Sequence, residues 1–200
     1  MIITKKFSVE SAHRVRNCTS TRCSHSFHGH SYVIELSLEA EYLDNAQMVY
    51  DFGLFKGAIS DFIDSMDHCI VFCGKDEESV KTFFKSHNDR WMEVPFNPSA
   101  EMLSVFIFKG VCEILDNTVY ANGESPNIGV RSVTVHETAT GSAKCDGYDV
   151  FNLWKYSPVL RGGATFSVGI QSEWHECTRD LFNNQQKVTN PIPEQQIDLS

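Results

Sequence analysis

A chain of 200 residues is long enough for one full hydrophobic core, and its 42% apolar and 22% charged residues suit a globular protein rather than a disordered one. A net charge of −9 argues against the basic surface that nucleic-acid binding favours, and no apolar run reaches the roughly eighteen residues a membrane helix needs. The seven cysteines form no disulfide-like framework and no signal-peptide run follows Met1, so the expected setting is reduced and cytoplasmic. Residues 1–13 read as a strand with Phe7, Val9, Ser11 and His13 on one face. Residues 28–38 alternate His28, His30, Tyr32, Ile34, Leu36 and Leu38 against smaller or polar side chains, a second half-buried strand. Side chains at i and i+2 share a face, so His28 and His30 project together. Gly29 between them removes a side chain from the other face, where another backbone has room to approach. If the two strands pair as a hairpin, His13 meets them. A lone histidine is most simply a hydrogen-bonded polar residue. Three neutral imidazoles with no fourth protein ligand nearby match a catalytic zinc site, with one position open to water or substrate.

Asp51 caps the next element, a helix in which Phe52, Phe55, Ile59, Phe62, Ile63 and Met66 form one apolar stripe. It ends near Asp67-His68, before the short apolar segment Ile70–Phe72. Cys69 and Cys73 have CxxxC spacing without a second pair and read as buried thiols. Residues 74–95 read as a solvated excursion with one helical turn around Val80–Phe84, their charges a wet face. Asn97-Pro98 marks a further helix, with Asn97 as N-cap and a buried stripe from Met102 to Leu115. Residues 117–127 read as a loop, and Ile128 to Glu137 as a strand on which Val133, Val135 and Glu137 share a face. Beyond residue 150 the texture changes. Phe151, Leu153, Trp154 and Tyr156 are apolar enough to pack, Thr165–Ile170 suits an edge strand, and Gln185–Ser200 reads as a loosely held tail. The layout is α+β, with a domain over 1–150 and an extension over 151–200. On their own residues, Asp67-His68 fit a capping pair at a helix end, and Glu137 a strand-end carboxylate.

Six motifs occur in order: Phe7-x-x-Glu10-x-Ala12-His13, a cysteine before His28-Gly29-His30-x-Tyr32, Met48-Val49-x-Asp51-Phe52, Asp67-His68, Asn97-Pro98-Ser99-Ala100-Glu101, and Val135-x-Glu137-Thr138. Together they resemble the 6-pyruvoyl- and 6-carboxy-tetrahydropterin synthase family. The resemblance implies the tunnelling fold: an antiparallel four-stranded sheet with two helices packed on one face, here followed by a C-terminal extension. It implies zinc (Zn2+) held by His13, His28 and His30, and 7,8-dihydroneopterin triphosphate as substrate. It gives Cys23 the role of general base, assisted by Asp67 and His68. Glu137 would anchor the pterin's amino group and ring N–H, and Ser99 takes the place of a threonine that lies beside the pterin. A homo-oligomer, trimer or hexamer, with sites between subunits is also implied.

The main departure is the cysteine spacing. Four residues separate Cys23 from His28, where bacterial-type relatives have three and animal-type relatives five. A loop absorbs such a change; if it swings Cys23 away, His25 is the substitute base, and Cys18 is a more distant one. Arg14, Lys144 and His25 lie near the motifs as cations for the triphosphate. Met48–Phe52 and Glu137–Gly141 look like the bacterial branch, which makes 6-carboxy-5,6,7,8-tetrahydropterin with release of acetaldehyde and triphosphate, on the way to queuosine. The alternatives are triphosphate elimination to the 6-pyruvoyl product, and a non-catalytic zinc- and pterin-binding homologue.

Overall fold

Two strands of twelve residues, β1 (Ile2–His13) and β2 (His28–Glu39), open the chain and pair antiparallel along their whole length. In the computed structural model, which describes residues 1–191, Ile2 lies opposite Glu39 and His13 opposite His28. Period-two patterning places Val9, Tyr32, Ile34, Leu36 and Leu38 in the core, while Glu10, Ser31 and Glu35 point to the other face. The short helix α1 (Thr21–His25) lies in the loop joining them.

The helix expected after Asp51 is split. A 3-10 turn, Phe52–Lys56, is capped by Asp51, whose carboxylate accepts from the Gly53 N–H at 2.7 Å. Gly57 then adopts φ −96°, ψ −130°, outside the helical region, and α2 (Ala58–Asp64) follows. The break turns Phe52 outward while Phe55, Ile59, Phe62 and Ile63 stay buried.

The sheet is wider than the expected four strands. β3 (Cys69–Cys73) runs parallel to β1, α3 (Glu78–His87) crosses back, and β4 (Trp91–Val94) runs parallel to β3. Residues 74–95 are thus a βαβ crossover rather than a solvated excursion with one helical turn. Their charges are not only a wet face either: the Asp76 side chain is fully buried. It is neutralised by Arg14 and accepts from the Cys73 N–H at 3.0 Å. β3 buries Val71, Phe72 and Cys73 in succession and so lacks alternation, which is how parallel strands hide in a sequence.

α4 (Ala100–Asp116) begins two residues later than Asn97-Pro98 suggested, because Ser99 is the N-cap. The Asn97 side chain is engaged elsewhere, accepting from the Arg16 N–H at 2.8 Å and donating to the Arg16 carbonyl at 2.7 Å. β5 (Thr118–Val119) lies within the expected loop. β6 (Gly129–His136) pairs with β2, and β7 (Ser142–Cys145) with β6. These are the antiparallel four, β7-β6-β2-β1, to which β3 and β4 are added. α2 and α4 cover one face.

The C-terminal segment completes this core. α5 (Gly147–Leu153) is followed by a 3-10 turn, Val159–Arg161, whose Val159 and Leu160 N–H groups donate to the Glu113 carboxylate of α4. β8 (Thr165–Phe166) is the edge strand, antiparallel to β4, shorter than expected because Ser167 caps α6 (Val168–Glu173). Then come α7 (Glu176–Arg179) and a π-helical turn, Asp180–Asn184. Trp174 donates to Ser65, His175 and Thr178 bond to Asp61, and Phe182 stacks on Phe62, all against α2. The tail expected from Gln185 is held at its start by β9 (Val188–Thr189), which pairs with β5; residues 192–200 lie outside the described residues. Among the described residues, no helix is long and apolar enough to cross a membrane.

α2 meets α4 through Gly110, where an added Cβ would lie 2.3 Å from the Phe62 ring. Gly110→Ala is therefore expected to destabilise the protein by about 1–3 kcal/mol, the usual cost of overpacking a core. Denaturant unfolding would measure it; an unchanged midpoint would mean that Phe62 has space to retreat.

Candidate metal centre

The hairpin register brings the three histidines together. His13 faces His28 across β1 and β2, and His30 is two residues further along the same face. Their ring centroids are 4.7, 5.0 and 5.2 Å apart, and one ligand nitrogen from each lies within 4.8 Å of the others. Among the described residues, no other three His, Cys, Asp or Glu side chains are so arranged.

The donor set suits a metal ion. His13 is buried, and its Nδ1 donates to the Pro98 carbonyl at 2.6 Å, just before α4. That bond directs the Nε2 lone pair towards the other rings. His28 Nδ1 donates to the Ser26 carbonyl at 3.0 Å, leaving its Nε2 free in the same way. Burial lowers the His13 pKa, and the neighbouring imidazoles act in the same direction against the Pro98 carbonyl and Glu137. The ring is thereby kept neutral, the form that coordinates.

Glu137 follows β6, and its Oε1 lies 3.4 Å from His13 Nε2 and 3.8 Å from His30 Nε2. The carboxylate shares the histidine pocket, held in a turn where Glu137 and Thr138 N–H groups donate to the Gly141 carbonyl. Tyr32, which the motif reading gave no chemical role, places its hydroxyl 3.3 Å from both ring nitrogens of His13. Burial first, and Glu137 second, push its phenol pKa far up, so it remains a neutral group beneath the rings. Its strand position was legible; its contact with His13 was not.

The remaining sequence-selected residues are dispersed. Cys23 is half-buried in α1, on the loop between the two histidine strands, with its backbone carbonyl accepting from the Val15 N–H at 3.0 Å. That loop is pinned at both ends. Arg14 pairs with Asp76 and Glu77 and stacks over Phe27, and Phe27 packs edge-on against Phe84 of α3. Arg14 is therefore a structural cation. His25 is exposed and bonds only to neighbouring Ser24, and Lys144 is exposed on β7. Ser99 Oγ accepts from the Met102 N–H at 3.4 Å, as befits a cap. Cys69 and Cys73 are buried, as expected; burial pushes the Cys69 thiol up to about 12.

Asp67 and His68 bond to each other, His68 Nδ1 to Asp67 Oδ2 at 2.7 Å, and His68 opens onto the sheet face that carries Glu10, Ala12 and Ser31. Asp67 Oδ1 also accepts from the Glu10 N–H at 2.7 Å. Partial burial opposes ionisation of Asp67, but the Glu10 N–H and His68 outweigh it and hold the carboxyl below its usual range. That face, around Ala12, Gly29 and Ser31, floors a cavity of about 420 Å³ that His68 borders and that His30 also lines.

A sequence model of the family described as 6-pyruvoyl tetrahydropterin synthase matches residues 2–148. The chain is 37% identical over 183 residues to a 6-carboxy-5,6,7,8-tetrahydropterin synthase of Helicobacter pylori, covering 92% of this chain and 90% of that protein. Its fold is similar to that of an uncharacterized protein from Wolinella succinogenes, with TM-score 0.60 and 18% identity over 74% of this chain and 98% of the other. A Plasmodium vivax 6-pyruvoyltetrahydropterin synthase matches with TM-score 0.51 and 18% identity over 72% of this chain and 97% of its own.

The chain is expected to bind one transition-metal ion. Titration with Co2+, followed by its visible absorption, would report the histidine ligands. His28→Ala and His30→Ala should each weaken binding by about 100-fold or more. Undiminished binding in both variants would remove the metal from this site.

Proposed function

We propose that this chain, which belongs to the 6-pyruvoyl tetrahydropterin synthase family, is a 6-carboxy-5,6,7,8-tetrahydropterin synthase, a lyase acting on 7,8-dihydroneopterin triphosphate. The observation that carries the reading is the three-histidine cluster, present in a chain 37% identical to a protein of that name over nearly its full length. The products are the carboxy-tetrahydropterin, acetaldehyde and triphosphate. The unpaired cysteines support a reducing, cytoplasmic setting.

Zinc is the ion assigned to His13, His28 and His30, and when bound it supplies Lewis acidity towards the hydroxyls of the substrate side chain. The chain's own groups do the rest. Glu137, beside the cluster, offers two carboxylate oxygens to the parallel donors of the pterin amino group and ring N–H. Cys23, on the loop between the ligand strands, takes a carbon-bound proton as its thiolate. Asp67 accepts from His68 Nδ1, which leaves Nε2 to exchange a proton with the substrate. Ser99 lies at the α4 start, next to the Pro98 carbonyl that orients His13, and lines the pterin side.

The Asp67–His68 pair opens onto the face of Glu10, Ala12 and Ser31, opposite to the one from which the histidine side chains project by strand alternation. This separation supports a homo-oligomer, trimer or hexamer, in which the pair of one subunit completes the pocket of the next.

Zinc-loaded protein incubated with dihydroneopterin triphosphate should yield the carboxy product with stoichiometric acetaldehyde, identified by mass spectrometry. A pyruvoyl product without acetaldehyde would favour the alternative lyase reaction. Cys23→Ala should lower kcat by about 100-fold or more while retaining zinc; full turnover would point instead to His25. A second test addresses sharing. Cys23→Ala and His68→Ala proteins, each inactive, should recover up to about a quarter of wild-type activity after mixed reassembly. No recovery in demonstrably mixed oligomers would mean that both groups serve one subunit's site.

A further inference from the structure

Arg90 belongs to none of the motifs, yet two of its nitrogens reach the end of α2 and the turn that carries Asp67 and His68, and the third reaches α6. It stands one residue before β4, and its side chain is 18% exposed. Nε donates to the Asp67 carbonyl and Nη2 to the Asp64 carbonyl, each at 2.8 Å. Nη1 pairs with the Glu173 carboxylate at the end of α6. The Arg90 carbonyl in turn accepts from the Ile70 N–H at 3.2 Å, just beyond the turn.

The turn needs such a brace. His68 has φ +48°, a left-handed conformation that a residue with a Cβ adopts only when its surroundings impose it. Asp64 ends α2, where helix carbonyls lack intrahelical partners and a cation is favoured. The Glu10 N–H holds the Asp67 side chain, but Arg90 holds its backbone. Two divergent carbonyls and a carboxylate match a planar guanidinium fork; a lysine ammonium cannot span all three.

We infer that Arg90 and Glu173 are positioning residues for the Asp67–His68 pair, locking its turn from the sheet crossover on one side and the C-terminal segment on the other. The inference rests on the catalytic reading of that pair. Glu173 lies beyond the residues matched by the family, so this chain uses a segment outside the family core to set the orientation of a group within it.

The test uses the zinc-loaded full chain. Arg90→Ala should lower kcat by about 10- to 100-fold, the scale on which a misplaced catalytic group is felt, with KM and zinc content unchanged. Arg90→Lys should resemble Arg90→Ala rather than wild type, and Glu173→Gln should fall between. Arg90→Ala combined with His68→Ala should be no slower than His68→Ala alone, because Arg90 acts through His68. Amide exchange at residues 67–69 should accelerate about tenfold or more in Arg90→Ala, with α4 protection unchanged. If Arg90→Ala does not fold, Arg90→Lys and Glu173→Gln carry the same comparisons. Wild-type kcat in the Arg90 and Glu173 variants beside an impaired His68→Ala would overturn the inference alone. Wild-type kcat in His68→Ala and Asp67→Asn would overturn the catalytic reading beneath it.

Discussion

The pairing of β1 with β2 is the constraint on which the rest of the structure depends. Strand side chains alternate, so a slip of one residue would send every core residue of one strand to the opposite face. Val9, Tyr32, Ile34, Leu36 and Leu38 are almost completely buried, which makes such a slip prohibitively unfavourable. The same register puts His13 opposite His28 and leaves His30 beside them. The histidine cluster is therefore held by the hydrophobic core, and α4 adds one refinement through the Pro98 carbonyl on His13 Nδ1.

Charge in this molecule is used locally. The chain is acidic overall, at −9, yet Arg14 and Arg90 are both already paired. Arg14 faces Asp76 and Glu77, and Arg90 faces Glu173. Asp76 is fully buried, and a buried carboxylate survives only with a charged partner and hydrogen bonds, here Arg14 and the Cys73 N–H. These pairs tie the residues around the site to the scaffold, rather than presenting a positive field to solvent.

How much of this was legible follows from what periodicity reports. The two long strands, the histidine cluster and the apolar stripe of α4 all come from a period that one face of an element imposes. Family motifs in chain order added the fold and the chemistry. The 74–95 crossover was misread because its strands are short and Asp76, Glu77 and Glu78 look hydrated; only the fold reveals that Arg14 waits for Asp76. Asn97 and Ser99 are both good helix caps by composition, and the choice was made by Arg16, whose backbone occupies the Asn97 amide. The separation of Asp67–His68 from the histidines was equally hidden. It depends on β3 entering the sheet parallel to β1, a long-range pairing with no local signature.

The Glu113 carboxylate has a consequence for the order in which the molecule can be made. It sits in α4, buried, and its acceptors are filled by N–H groups more than forty residues further along, at Val159 and Leu160. Phe62 likewise waits for Phe182. During synthesis the hairpin can pair from local contacts, but Glu113, with only Lys109 beside it, and the Phe62 ring stay partly uncovered until Val159, Leu160 and Phe182 have been made. Nascent chains stalled before Val159 should therefore be the species that chaperones must shelter, even though the motifs of the family have all been translated by then.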